Sequence, residues 1–116
     1  MRAGFSQQNV TPPVGTAMSG FAGRDKKDGC QGIHDDLFVR ALWLSHDGSE
    51  ALILGFDLLF FSRDVADRLK GAIGRRLDVA PHGILLNTSH THSGPCVDSW
   101  AYGGHRPPNE AYLEAL

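Results

Sequence analysis

Residues 52–90, "LILGFDLLFFSRDVADRLKGAIGRRLDVAPHGILLNTSH", hold three elements in succession. The apolar run before Asp57 reads as a strand. In "SRDVADRLKGAIGRRL", Val65, Leu69, Ala72, Ile73 and Leu77 recur at helical spacing. Ser62 is a natural N-cap, Asp64 lies in the first turn, and Arg75 and Arg76 lie in the last, as the helix dipole favours. Gly71 and Gly74 each weaken the helix by up to ~1 kcal/mol relative to Ala, unless close packing requires them. Ile84 to Thr88 is a short buried strand that runs into polar residues. Strand, helix and strand in this order make a βαβ unit, with parallel strands and a right-handed crossover. The fold class is therefore α/β, a mixed sheet with a βαβ unit and flanking helices.

Upstream, "LFVRALWLSHDGSEALILGF" reads as two strands around Asp47-Gly48, a strong hairpin signal between apolar runs. Leu37, Val39, Ala41 and Trp43 fall on one face, with Phe38, Leu42 and Leu44 opposite beside Arg40. Both faces are mostly apolar, so cover on both sides is expected. Residues 14–33 carry Gly15, Gly20, Gly23, Gly29 and Gly32 among charges, which predicts a long loop of the kind that carries function. The first residues are extended and end in a turn at Pro12-Pro13. At the other end, Pro107-Pro108 and Asn109 open a helix, with Asn109 as N-cap and Glu110 in its first turn. A helix just capped as the sequence closes suggests the front part of a larger domain; a short helix docked on the sheet is the alternative.

Composition narrows the class. The 116 residues are 41% hydrophobic and 21% charged, with a formal net charge of −2. That suits one domain with a real core. No basic stripe invites nucleic acid, and no apolar run is long enough to span a bilayer. The first residues hold no apolar signal-peptide core, and Cys30 and Cys96 form no CxxC pair, so reduced thiols and a cytoplasmic location are expected.

"TSHTHSGP", residues 88–95, is the chemical feature. In open α/β sheets ligands gather at the carboxyl ends of parallel strands. His90 and His92 come after one such strand and Asp57 after the other. If the extended backbone persists, positions i and i+2 point to one side, so both imidazoles face one space. Such a pair supplies two metal ligands, or one ligand and one acid/base or substrate contact. Thr88, Ser89 and Thr91 are placed to orient a ring by hydrogen bonding. Asp57, an acid in an apolar strand, is either a structural anchor or a hydrogen-bonding partner that orients the histidines. His34 enters from the glycine-rich loop. His46 and His82 read as solvated, and His105 as a loop residue or a substrate contact.

Four segments resemble, in order, the N-terminal part of the neutral/alkaline non-lysosomal ceramidase family: "NVTPPVGTAMSGFAGR", "GIHDDLFVRALWL", "ALILGFDLLFFS" and above all "LLNTSHTHSGP". They cover residues 9–95. The resemblance implies a zinc-dependent amidase that cleaves the N-acyl bond of ceramide, or of a related amide. It implies that residues 1–116 are the N-terminal portion of one such catalytic domain. It makes His90 a zinc ligand and His92 a catalytic group near the substrate, and it sets Gly20 and Phe21 of "MSGF" close to the pocket. His34 is carried as a substrate contact, and the segments that hold Arg24 and Asp57 also match the family pattern. The family's other ligands (a further His, a Glu and a Tyr) and an active-site serine come from later positions. The sequence departs from the family after "HTHSGP", reading "CVDSWAYGGHRPP" where glycines are usual, so the amide is open. A catalytically incomplete homologue that binds a ligand or partner is the competing reading, as is a metal-free or other-metal hydrolase. Partners are then a small-molecule amide or lipid substrate, with a homo-oligomer compatible.

Overall fold

The computed structural model describes residues 1–21, 29–98 and 110–116. Strands β1 (Arg2–Asn9), β2 (Phe38–His46) and β3 (Ser49–Phe56) are followed by helix α1 (Arg63–Leu77), strand β4 (Ile84–Thr88) and helix α2 (Glu110–Ala115). One sheet runs in the order β1-β2-β3-β4. β1 and β3 lie antiparallel to β2, and β4 lies parallel to β3, with Phe56 opposite Thr88. The mixed sheet and its βαβ unit are as the sequence predicts.

The local signals hold. Asp47 (φ 47°) and Gly48 (φ 77°) make the β2–β3 turn, both left-handed as a two-residue hairpin of the favoured twist demands. Ser62 caps α1, its hydroxyl accepting from the Val65 N–H. Gly74 is a packing glycine: a Cβ there would lie 2.7 Å from the Val79 carbonyl oxygen, where the chain turns back after α1. Gly71 has only the flexible Arg75 side chain near it.

Leu52, Leu54 and Phe56 on β3 and Ile84 on β4 pack with Val65 and Leu69 of α1. Ile73 joins at the margin, while Leu77 is 55% exposed, so the buried stripe of α1 is narrower than its apolar spacing. Tyr112 and Leu113 of α2 dock onto the same core, and the Tyr112 hydroxyl donates to the Val10 carbonyl at 2.7 Å. The expected N-cap Asn109 lies outside the described residues.

Among the described residues, cover is provided on one face of the sheet only. Register puts Phe5, Leu42, Ile53 and Leu85 in one row on the face away from α1. Phe5 is 70% exposed and Leu85 56%. Alternation along a strand tells which residues share a face; it does not supply a layer to cover it. Among the described residues no helix is long and apolar enough to cross a membrane.

Candidate functional site

β3 and β4 end side by side, and the segments just beyond their ends build the site. After β3 the chain bends through residues 57–59, where Leu58 and Leu59 are buried. After β4 the Ser89 N–H still bonds the Phe56 carbonyl at 2.9 Å, one step beyond the ladder. Then His90 turns left-handed, φ 59°. The extended geometry expected for the histidine pair therefore stops at Thr88. The rings nevertheless meet, edge to face, with centroids 5.2 Å apart and planes at 71°.

Each ring has a backbone partner. Nδ1 of His90 lies 3.0 Å from the Leu59 carbonyl oxygen. A carbonyl only accepts, so Nδ1 carries the proton and Nε2 keeps the lone pair. Thr88 Oγ1 donates to the same oxygen at 3.3 Å. Nδ1 of His92 accepts from the Phe21 N–H at 3.5 Å. The Phe21 ring packs edge-on against His92, centroids 5.1 Å apart.

The "MSGF" segment reaches this point by pairing with the residues after the histidines. Met18 bridges Pro95, the Ser19 N–H bonds the Gly94 carbonyl at 3.0 Å, and the Cys96 N–H bonds the Ala17 carbonyl at 2.8 Å. The buried Ser19 hydroxyl donates to the Pro95 carbonyl at 3.2 Å. Gly20, at φ +82°, then passes so close that a Cβ would sit 2.8 Å from Cα, Cβ and Cγ of His92. Gly20 and Phe21 are thus brought to His92.

His34 is placed apart. It lines a cleft of about 820 Å³ with Pro12, Met18, Ile33 and Leu37, and with Thr91 and Ser93 from between and beyond the two histidines. The imidazoles of His90 and His92 are not part of that lining, so His34 adjoins the histidine segment without joining the ring pair. Its Nδ1–H donates to Asp35 at 2.7 Å, and that hydrogen bond, then the Asp35 charge, raises its pKa above the ordinary imidazole value.

Asp57 belongs to the sheet. Its Oδ2 accepts from Arg40 Nη1 and from the Phe38 N–H, each at 3.0 Å, and its own N–H returns to the Phe38 carbonyl. These are contacts of the anchoring kind, and the carbonyl beside His90 Nδ1 is that of Leu59. Sequence reasoning missed Leu59 because a backbone carbonyl belongs to every residue and leaves no mark in residue identity. Cys30 and Cys96 are free thiols. His46 is exposed beside Asp47, His82 is exposed, and Arg24 and His105 lie outside the described residues. Among the described residues no group of three His, Cys, Asp or Glu side chains is gathered to hold a metal.

Comparison with solved structures places this architecture. The neutral ceramidase from Pseudomonas aeruginosa is similar at a TM-score of 0.70 and 22% identity, over 82% of this chain and 16% of that one. A structure described as ceramidase complexed with C2 is similar at 0.70 and 23%, over 83% of this chain and 15% of that one. At these identities the likeness shows a shared fold, and this chain spans about a sixth of the length of either. No family model and no curated protein matches.

Proposed function

We propose that these residues form the front part of a zinc-dependent amidohydrolase site of neutral ceramidase type, with His90 as one ligand and His92 facing the amide. The observation that supports it best is the His90–Leu59 hydrogen bond. Metal-ligating histidines characteristically give their second N–H to a carbonyl or carboxylate, which fixes the tautomer and aims the other nitrogen. His90 has this arrangement at the carboxyl ends of adjacent parallel strands, where open α/β sheets bind ligands.

The residues present fit one ligand of such a site. A catalytic zinc commonly takes three protein ligands and leaves one position open. The others that the resemblance implies, a His, a Glu and a Tyr, are proposed to come from the rest of the catalytic domain. Bound there, zinc would polarise an amide carbonyl and bring the pKa of water down towards ~7.

This chain's residues supply the rest of the reading. His92, held against Gly20 and Phe21, stabilises the amide oxygen as it gains charge or passes a proton to the departing amine. The adjoining cleft, floored by Pro12, Met18, Ile33 and Leu37, takes the apolar part of the amide. The amide is ceramide or a relative with an apolar acyl chain.

The test is elemental analysis and N-acyl amide hydrolysis on the polypeptide as it is made in the cell. About one zinc per chain, with amide cleavage lost on chelation and restored by zinc, supports the proposal. Stoichiometric absence of zinc from an active protein would move the chemistry to a metal-free hydrolase. Neither zinc nor turnover would leave a binding module.

A further inference from the structure

Two identical side chains in one motif are given opposite partners: His90 meets an acceptor, His92 a donor. We infer that these two backbone contacts hold the rings in opposite neutral tautomers. The Leu59 carbonyl leaves His90 with a lone pair on Nε2, and the Phe21 N–H leaves His92 with its proton on Nε2. The first edge suits a cation. The second suits a lone-pair-bearing oxygen. The assignment of metal to one edge and amide oxygen to the other rests on the function proposed above, but the tautomers do not.

Backbone conformation supports the inference independently. Of the non-glycine residues with positive φ among those described, Asp47 and Asp78 sit in a hairpin turn and at a helix C-cap, where Asp is at home. The other two are His90 (φ 59°), a residue type found there more often than most, and Phe21 (φ 43°), a bulky aromatic for which this backbone is a genuine outlier. Left-handed backbone at ordinary residues persists only where the surroundings over-determine it, and it gathers at functional sites. Here it turns the Phe21 N–H onto one ring and seats the other against Leu59.

Gly20 is the positioning residue of this device. A Cβ at this position would lie 2.8 Å from Cα, Cβ and Cγ of His92, so glycine is what allows the next N–H to reach Nδ1. The Met18–Pro95 bridge and the Ser19–Gly94 bond hold the segment in that register. The loop therefore acts on His92 itself, whatever it also does for a substrate.

The experiment is a long-range proton–nitrogen correlation spectrum of the metal-free, nitrogen-15-labelled chain at about pH 8.5, where an ordinary imidazole is neutral. His90 is expected with a protonated Nδ1 and a bare Nε2, and His92 with the reverse. The same tautomer in both, the reverse assignment, or rapid averaging in both would overturn the inference. In Gly20→Ala, His92 should lose its single tautomer and show an averaged pattern while His90 keeps its own. An unchanged His92 in that folded variant would remove the loop from the device, and the parent spectrum decides the tautomers should the variant not fold. Zinc is then titrated in. A shift confined to His90 Nε2 supports both proposals; opposite tautomers indifferent to zinc would uphold this one and count against the metal reading.

Discussion

The imidazoles of His90 and His92 stand 5.2 Å apart, edge to face, although the strand that leads to them has already ended. Their convergence is the work of one left-handed residue, His90, and of the Gly20–Phe21 segment pressed against His92. Different partners mean different consequences on mutation. His90→Ala should abolish stoichiometric zinc in the polypeptide as made in the cell. His92→Ala should keep the zinc and lower kcat by roughly 10²–10³, the usual cost of removing a donor to a developing oxyanion. Elemental analysis beside steady-state kinetics reads both. Equal metal loss would show that the roles are divided wrongly.

Gly20→Ala should destabilise the chain more than Gly15→Ala. Both glycines have positive φ, so each substitution carries about 1–3 kcal/mol of backbone strain. Only at position 20 does the new methyl also meet a neighbour; nothing lies within 4 Å at Gly15. Urea unfolding of the two variants measures the difference, which isolates the His92 contact. Equal losses would mean that the segment yields freely.

Asp57→Asn separates an anchor from a metal-site partner. The carboxylate joins Arg40 on β2 to the turn after β3, with the Phe38 N–H as its second donor. Losing its charge should cost about 1–2 kcal/mol of stability, at and below the low end for hydrogen bonds to charged groups because Arg40 is 44% exposed to screening solvent. Zinc affinity should stay within about threefold of the parent, as measured by competition with a chelating dye. A loss of about tenfold or more in a folded variant, the usual cost of removing a group that orients a metal ligand, would restore Asp57 to the metal site.

Alkaline stability should report Tyr112. Burial, then the nearby Asp57 charge, pushes its hydroxyl from 10.0 to about 12. Between these values the unfolded chain has released the proton and the native chain has kept it. Stability is then fully present below pH ~10 and is lost as pH rises towards ~12. Tyr112→Phe should flatten that part of the Tm-against-pH curve while lowering Tm at neutral pH, because the bond to the Val10 carbonyl is gone. An unaltered alkaline slope would contradict the burial argument.

His34 should titrate above the ordinary imidazole value, because the protonated ring is the form that Asp35 favours. Asp35→Asn should bring the midpoint back down, as read from the ring-proton NMR shifts. The pair is solvent-exposed, so the chain's stability should not track this titration.

What the sequence by itself determined is everything set within a few residues. Ser62 caps α1, Asp47-Gly48 turns the hairpin, and apolar spacing across residues 52–88 defines the parallel β3–α1–β4 unit. Capping, turn chemistry and periodicity act locally, so each leaves a mark in residue identity. The motif's position past a strand end was equally legible. Tertiary structure decided their partners. Phe21 and His92 are 71 positions apart, and Leu59 and His90 are 31 apart. The groups that meet there are a backbone N–H and a backbone carbonyl, which nearly every residue owns and no residue type announces. For the same reason the sequence did not show that Arg40 stands beside Asp57, nor whether anything covers the apolar row from Phe5 to Leu85. Local chemistry names the elements and the reactive side chains; which backbone groups face them is set only when the chain closes on itself.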